Sequence, residues 1–520
     1  MVLQVTAPTF EWFALSPVLV LVIGACVGML IEAFVPKAHR FLVQTLVMVA
    51  TFVAAGVLLA INWAQGTQGV LAMGSVTLDG PAYLMWAALL VFGLLSVLLF
   101  AERRLGFGHS AFASSASSMP GGRTEALADA LRIEHSEVFP LALFSLAGML
   151  VFTAAGDLLT LFVALEVLSL PLYLLSGMAR RRRLLSQESA LKYFLLGAFA
   201  SAFFLFGIAL VYGFSGSFDL SAIATAVGSP TMGRGMLLGG MGLMAVGLLF
   251  KVGAVPFQSW VPDVYVGAPT PVTSFMAICT KLAAVGGLLR VFYVGLGGEA
   301  WTWQPVLAIV AVLTMAVGVI LALTQTDIKR LLAYSAVSHA GFLLTAVVGA
   351  MATVPQGQVN SFGSIWFYLV AYGFASVAAF GIVTMVRDHA GEATALASWS
   401  GLGSKNPLLA GVFAFLMLSF AGIPLTAGFI GKWAVFASAW AGGYGWLAMT
   451  GIGFSLVAAY FYLRVIVVMF FGDPDPDVVV GRASVVTWIP IVVGALGSLV
   501  LGLFPGPLMQ LISSAEVFIR

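Results

Sequence analysis

Apolar blocks follow one another along the whole chain, each close to the ~20 residues a helix needs to cross a bilayer, with polar or Gly/Pro breaks between them. Of the 520 residues, 61% are hydrophobic and only 8% carry a full charge, against roughly 25% charged in an ordinary soluble domain. A soluble enzyme is excluded, and the chain reads as an all-α polytopic membrane protein. Its charges nearly cancel, with 23 Lys plus Arg against 21 Asp plus Glu, so there is no basic field to hold nucleic acid. Cys26 and Cys279 both lie in apolar segments, with neither CxxC nor Cys/His spacing. Iron–sulfur clusters, structural zinc and a disulfide framework therefore lack ligands, and any redox chemistry belongs on another chain. No basic n-region with a small-residue cleavage site precedes the first apolar run, which reads as a retained helix rather than a signal peptide.

Counting the blocks gives about fourteen spans, beginning near Ser16, Leu42, Ala82, Pro140, Leu158, Gln187, Met236, Pro271, Trp303, Asp327, Ser364, Pro407, Gly445 and Ser484. Basic residues sort by loop. Those after odd-numbered spans hold Lys37, Arg40, Arg103, Arg104, Arg123, Arg132, Arg180 to Arg183, Lys329, Arg330, Arg387, Lys405 and Arg482, whereas the other face holds only Arg234 and Arg520. Lys and Arg mark the cytoplasmic side, so both termini are expected outside the cytoplasm. Residues 102–137 form a polar insertion with a Ser/Gly-rich centre and a short helix-like stretch from Thr124; a disordered connector is its simplest reading. The run Arg180 to Arg183 reads as a topology anchor or as a contact for anionic lipid.

A Lys, Asp or Glu at the middle of a spanning helix costs about 2.5–3.5 kcal/mol, so those that persist face a hydrated cavity or a partner. Five stand out: Glu166, Lys192, Lys251, Lys281 and Lys432. Lys192 is near the start of its span, where a snorkelling structural lysine is an equal alternative. Arg290 and Arg464 lie closer still to helix ends and are read as snorkelling. Desolvation weakens a lysine's hold on its proton and a nearby carboxylate restores it, so one acid moving against a buried lysine acts as a switch. Glu166 is the one acid deep in the apolar core, with Lys251 its leading partner; a static salt bridge is the other reading.

Two spans are interrupted. Pro256 breaks the seventh after Lys251, and Pro424 with flanking glycines breaks the twelfth before Lys432. Broken helices are tolerated at membrane depth where they line a cavity or pack on protein. A spacing of five spans is the pattern of two inverted five-helix repeats, helices 4–8 and 9–13, with transport sites at the breaks. The implied division is an N-terminal three-helix segment (1–101), the insertion (102–137), a first repeat (138–300), a second repeat (301–472) and a C-terminal loop and helix (473–520). His339 is the one histidine inside an apolar span. Its ring can accept at one nitrogen and donate at the other, which suits a relay; a hydrogen-bonded packing residue is the alternative. Ser335, Ser338, Thr280 and Tyr334 are candidates to hold water beside it.

Five segments carry a resemblance: LEVLSLPLYLLSG at 165–177, ESALKYFLLGA at 188–198, GLLFKVGAVPFQSWVPDVYVGAPTPVTSF at 247–275, TDIKRLLAYSAVSHAGF at 326–342 and LSFAGIPLTAGFIGKW at 418–433. In combination they resemble the antiporter-like membrane subunits of respiratory complex I, the proton-pumping NADH:quinone oxidoreductase. Within that family they look most like the N type, counterpart of mitochondrial NADH dehydrogenase subunit 2. The L type is usually longer, and the M type usually has Glu in place of Lys432. The resemblance implies that Glu166, Lys192, Lys251, Lys281, His339 and Lys432 match the family's charged and histidine positions on helices five, six, seven, eight, ten and twelve. It also implies proton translocation coupled to electron transfer from NADH to quinone. This chain would then hold no cofactor, and FMN and iron–sulfur clusters would sit on partner subunits. Other membrane subunits and lipid are the expected partners, in a bacterial plasma membrane. Gln258 departs from the pattern, since relatives carry a titratable histidine there. A multisubunit cation/proton antiporter shares the fold and the lysines. A single-chain secondary carrier is less compatible, because four buried lysines and one acid leave nothing acidic to bind sodium.

Overall fold

The computed structural model describes residues 10–106, 108–113, 122, 123, 127, 134–229, 233–350, 360–389 and 391–519. The described chain is mostly helical and runs back and forth as fourteen spans, each within a few residues of its expected start. These are helix 1 (Ser16–Phe34), 2 (Lys37–Ala64), 3 (Gly80–Ala101), 4 (Val138–Ala154), 5 (Leu158–Ser176), 6 (Arg183–Ser215), 7a (Arg234–Val252) with 7b (Trp260–Gly267), and 8 (Thr270–Gly295). Then come helix 9 (Ala300–Leu323), 10 (Ile328–Val348), 11 (Ser361–Met385), 12a (Pro407–Ala421) with 12b (Ala427–Ala441), 13 (Gly445–Phe471) and 14 (Val485–Leu503). Twelve described helices are long and apolar enough to cross a membrane, and Val138–Ala154 and Pro407–Ala421 are shorter apolar helices.

Helices 8, 10 and 11 are buried almost throughout and form the centre. Helices 1, 2, 6, 13 and 14 wrap them and turn large apolar side chains outward, such as Phe199, Leu456 and Phe471. In water such a surface would drive aggregation; against lipid tails or another membrane subunit it is the matching surface.

The repeats are visible in their hydrogen bonds. Helix 5 begins at Asp157, whose carboxylate caps Thr160 N–H, and Leu158 N–H reaches across to Phe218 O at 3.0 Å. Helix 10 begins at Asp327, whose carboxylate caps Arg330 N–H, and Ile328 N–H reaches Thr394 O at 2.7 Å. The breaks correspond as well. Helix 7a ends at Gly253 with φ +82°, and helix 12a at Gly422 with φ +84°. Each glycine N–H bonds back into the last turn, and the next residue's N–H bonds to the carbonyl four before the glycine, Ala254 to Leu249 O and Ile423 to Leu418 O. The left-handed backbone that closes both half-helices is one only glycine adopts without cost. Five helices separate the two copies, so they run in opposite senses, as the spacing predicts.

Small β elements seal the ends. β1 (Gly69–Leu71) pairs antiparallel with β2 (Val76–Leu78), and β3 (Val386–Asp388) lies between β4 (Gly391–Glu392) and β5 (Val479–Val480).

Two expectations need correction. Arg290 does not snorkel: it is 1% exposed and forks onto Asp79 at 2.5 and 2.7 Å, with further bonds to Thr77 O and Thr153 O. Sequence position near a helix end could not reveal that an acid at the start of helix 3 lies over it. Nor do the described ends of the 102–137 insertion hang free as a connector. Phe112 is buried and bridged to Ala179, Arg180 N–H bonds to Ala111 O at 2.9 Å, and Glu102 accepts from Ser484 and Thr487. The Ser/Gly-rich centre, most of the stretch from Thr124, Arg132 and Arg520 lie outside the described residues. Arg464 does reach a helix end, donating to Leu323 O at 2.8 Å where helix 9 stops.

Candidate functional site

The end of helix 7a places Lys251 in its last turn, where unpaired carbonyls favour a cation. Its Nζ donates to Ser169 Oγ on helix 5 at 2.6 Å and to Tyr193 OH on helix 6 at 3.3 Å, and it faces the rings of Tyr173 and Tyr193. Glu166 lies one turn before Ser169. It is near enough to act on Lys251 through its charge, yet the two make no ion pair, and Glu166 Oε1 is buried without a hydrogen-bond partner.

Between Lys251 and Lys281 lies a cavity of about 10 Å³, bounded also by Trp260, Tyr265, Thr280 and Ala336, roughly the least room that holds one water. Thr280 Oγ1 is buried there with no partner, a group that water would satisfy. Helix 8 is irregular at this level: Met276–Thr280 is a π-helical turn, a feature common at functional sites, and Lys281 follows directly. Lys281 Nζ donates to Ala336 O on helix 10 at 2.5 Å and sits 4.8 Å from the centre of the Tyr372 ring.

One turn along helix 10 from Ala336 is His339, 3% exposed. Nδ1 meets Tyr368 OH at 2.5 Å and Nε2 meets Tyr462 OH at 3.1 Å, while Tyr462 also meets Ser335 Oγ at 2.5 Å. Both ring nitrogens are thus engaged, one donating and one accepting in the neutral ring. A second cavity of about 10 Å³ joins His339, Tyr368, Tyr372, Ser419 and Phe420.

Lys432 extends from helix 12b back to the break, donating to Ala421 O at 2.8 Å and to Ser455 Oγ on helix 13 at 2.7 Å. Ala421 is the last residue of helix 12a, so here too a lysine meets the carbonyl end of a half-helix. Lys432 also borders a groove of about 810 Å³ between helices 12 and 13, lined by Trp433, Phe436 and Trp440.

Lys251, Lys281, His339 and Lys432 are therefore brought into one interior row, with Glu166 beside its Lys251 end. Lys192 is not part of it. Its side chain is 44% exposed and pairs with Glu188 at 2.7 Å and Asp263 at 3.0 Å, and Asp263 also pairs with Arg330 at 3.2 Å. Gln258 is half-buried with Oε1 unpartnered. Of the candidate water holders, Ser335 bonds Tyr462, Ser338 bonds Ser335 O and Thr280 lines the first cavity. The sequence reading missed Ser169, Tyr368, Tyr372, Tyr462 and Ser455. Ser169 alone carried a signal, its i+3 spacing from Glu166 on one helix face.

A polytopic membrane protein with basic side chains strung through two interrupted repeats is defined by these features. The chain belongs to the family described as NADH:quinone oxidoreductase/Mrp antiporter, TM, which matches residues 155–458. It is 52% identical over 524 residues to the NADH-quinone oxidoreductase subunit N of Cutibacterium acnes, covering 100% of this chain and 97% of that one. It is 53% identical over 530 residues to the subunit of the same name in Nocardioides sp., covering 99% of each. Among solved structures it is similar to a chain of respiratory complex I from Thermus thermophilus with bound aureothin, with a TM-score of 0.75 and 31% identity over 95% of this chain and 98% of that one. It shares the fold of a chain of the Mrp complex from Dietzia sp. DQ12-45-1b, with a TM-score of 0.79 and 21% identity over 96% of each.

Proposed function

We propose that the chain is the N-type membrane subunit of an NADH:quinone oxidoreductase and translocates protons through Glu166, Lys251, Lys281, His339 and Lys432. The observation that carries the reading is the interior row itself: four basic groups on four helices, linked by hydroxyls, aromatic rings and two water-sized cavities. The full-length relatives named subunit N support the assignment to that complex.

In this reading Ser169 holds Lys251 in place while the Glu166 carboxylate sets how tightly the lysine keeps its proton. Movement of Glu166 towards Lys251 favours the charged amine, and movement away releases the proton into the gap before Lys281. From Lys281 the path passes under Tyr372 to His339, where Tyr368 and Tyr462 supply hydrogen-bond partners on both sides, and then to Lys432. The groove beside Lys432 is where a neighbouring membrane subunit of the complex takes over, with lipid covering the remaining apolar faces. Lys192 acts from the side: its ion pair fixes Asp263 and helix 7b, whose Trp260 stacks on Tyr193 at 4.7 Å beside Lys251.

The chain carries no redox centre in this account; FMN and iron–sulfur clusters and the quinone reaction belong to partner subunits. It sits in a bacterial inner membrane with both termini on the non-cytoplasmic side, divided as 1–101, 102–137, 138–300, 301–472 and 473–520.

Deleting the gene and restoring it, in inverted membrane vesicles, tests the assignment. NADH-driven proton uptake should vanish and return with the chain, while cation/proton exchange driven by an imposed pH gradient stays unchanged. Loss of that exchange with NADH-driven uptake intact would make the chain a subunit of a cation/proton antiporter.

A further inference from the structure

On the face that carries the Lys- and Arg-rich loops lies a cavity of about 380 Å³ that shares no lining residue with either cavity of the row. Arg180, Arg181 and Arg182 from the loop after helix 5, Lys329 from the start of helix 10 and Arg387 from β3 all line it. So do two carboxylates, Glu102 and Glu392, but each already accepts bonds from hydroxyls: Glu102 from Ser484 and Thr487 at 2.6 Å, and Glu392 from Thr270. Four of the cations donate to neutral groups. Arg181 donates to His389 O at 3.3 Å, Arg182 to Thr394 Oγ1 at 3.2 Å, Arg387 to Thr384 O at 3.4 Å, and Lys329 to Ala268 O at 2.9 Å. None of these four makes an ion pair among the described residues, and Lys329 is only 3% exposed.

Arg181, Arg182, Lys329 and Arg387 outnumber the two carboxylates of the lining, so the cavity keeps an excess of positive charge, and an anion relieves the repulsion among its cations. Guanidinium forks match the oxygens of phosphate in particular. The same charge makes the cavity a poor mouth for a proton. We infer that it binds a phosphate-bearing anion, either a lipid headgroup or inorganic phosphate, held by Arg181, Arg182, Lys329 and Arg387. Because Arg181 and Arg182 precede helix 6 while Lys329 belongs to helix 10 and Arg387 to β3, such a ligand ties the two repeats together at this face.

The test is structure determination of the chain in its native membrane assembly, stripped of loosely held lipid. One arm adds inorganic phosphate, and the other adds vesicles of phosphatidylcholine with phosphatidylglycerol. Wild type, Arg181→Gln/Arg387→Gln and, as a charge control on the same face, Lys37→Gln are compared. Phosphate-sized density against Arg181 and Arg387 is expected in wild type and Lys37→Gln and is lost in the double variant; Arg387→Gln alone is used where the double variant does not assemble. Density running on into acyl chains identifies a lipid, and isolated density with phosphate alone identifies the free anion. Water alone in both arms, density that persists in the arginine variants, or a neighbouring subunit's side chain filling the cavity would overturn the inference.

Discussion

Lys251 bonds to Ser169 at 2.6 Å and makes no ion pair with Glu166, although the two acceptors sit one turn apart on helix 5. The acid and the lysine are therefore poised but apart, and Ser169 is the direct tether. A hydrogen bond to a charged group is worth about 1.5–3 kcal/mol, and about 1.4 kcal/mol is a tenfold rate. Ser169→Ala is expected to slow NADH-driven proton uptake by roughly tenfold, while Ser169→Thr, which keeps the hydroxyl, stays near wild type. Equal rates in Ala and wild type would remove Ser169 from the path.

The two glycines that close the half-helices separate backbone cost from contact cost. An alanine at φ +82° or +84° costs about 1–2 kcal/mol, so Gly253→Ala and Gly422→Ala should both lower the amount of assembled chain. A Cβ at Gly422 would also come within 2.8 Å of Lys432 Cδ, whereas one at Gly253 meets Val261. Per assembled complex, proton transport is thus expected to fall in Gly422→Ala more than in Gly253→Ala, measured as uptake normalised to chain content.

The spans, the breaks and the lysines were legible because the bilayer writes them into composition: apolar length, proline, and charges that cost too much to be incidental. What joins the lysines was not. Tyr462 and Ser455 lie on helix 13 and meet partners on helices 10 and 12 only through the fold, and tyrosine and serine in an apolar span are too common to single out. Lys192 shows the converse. Its charge stood out, but the partner that explains it, Asp263, lies 71 residues away.

The buried pair Arg290–Asp79 joins helix 8 to the start of helix 3, where Asp79 caps Ala82 N–H, and Asp79 also accepts from Ile519 N–H at 3.0 Å near the chain's end. Removing one partner leaves the other charge buried, at a cost of about 3–5 kcal/mol. Asp79→Ala should strongly lower the melting temperature of the solubilised complex, or abolish assembly. Asp79→Leu/Arg290→Met should recover much of that loss, because no charge is left behind. A double variant no better than the single would contradict the origin in an unpaired charge.

Glu102 supplies a pH dependence outside the spans. Burial pushes its carboxyl up, but bonds from Ser484, Thr487 and Arg104 N–H outweigh burial and hold it below the usual carboxylate range. A lowered folded value means that its stabilisation is complete above the ordinary carboxylate pKa of about 4.3 and is lost as pH falls through the lower folded value. The melting temperature should therefore drop with acidification below about pH 4.5 by more in wild type than in Glu102→Gln. Parallel curves would show that the tether between residue 102 and the start of helix 14 does not titrate.

The central claim is that protons cross through the buried row, and Lys251 is its best-defined member. NADH oxidation and NADH-driven proton uptake should be measured together in inverted vesicles, for wild type and Lys251→Ala at matched amounts of assembled complex. The account predicts that both fall together in the variant; both unchanged, with the chain present in the complex, would contradict it.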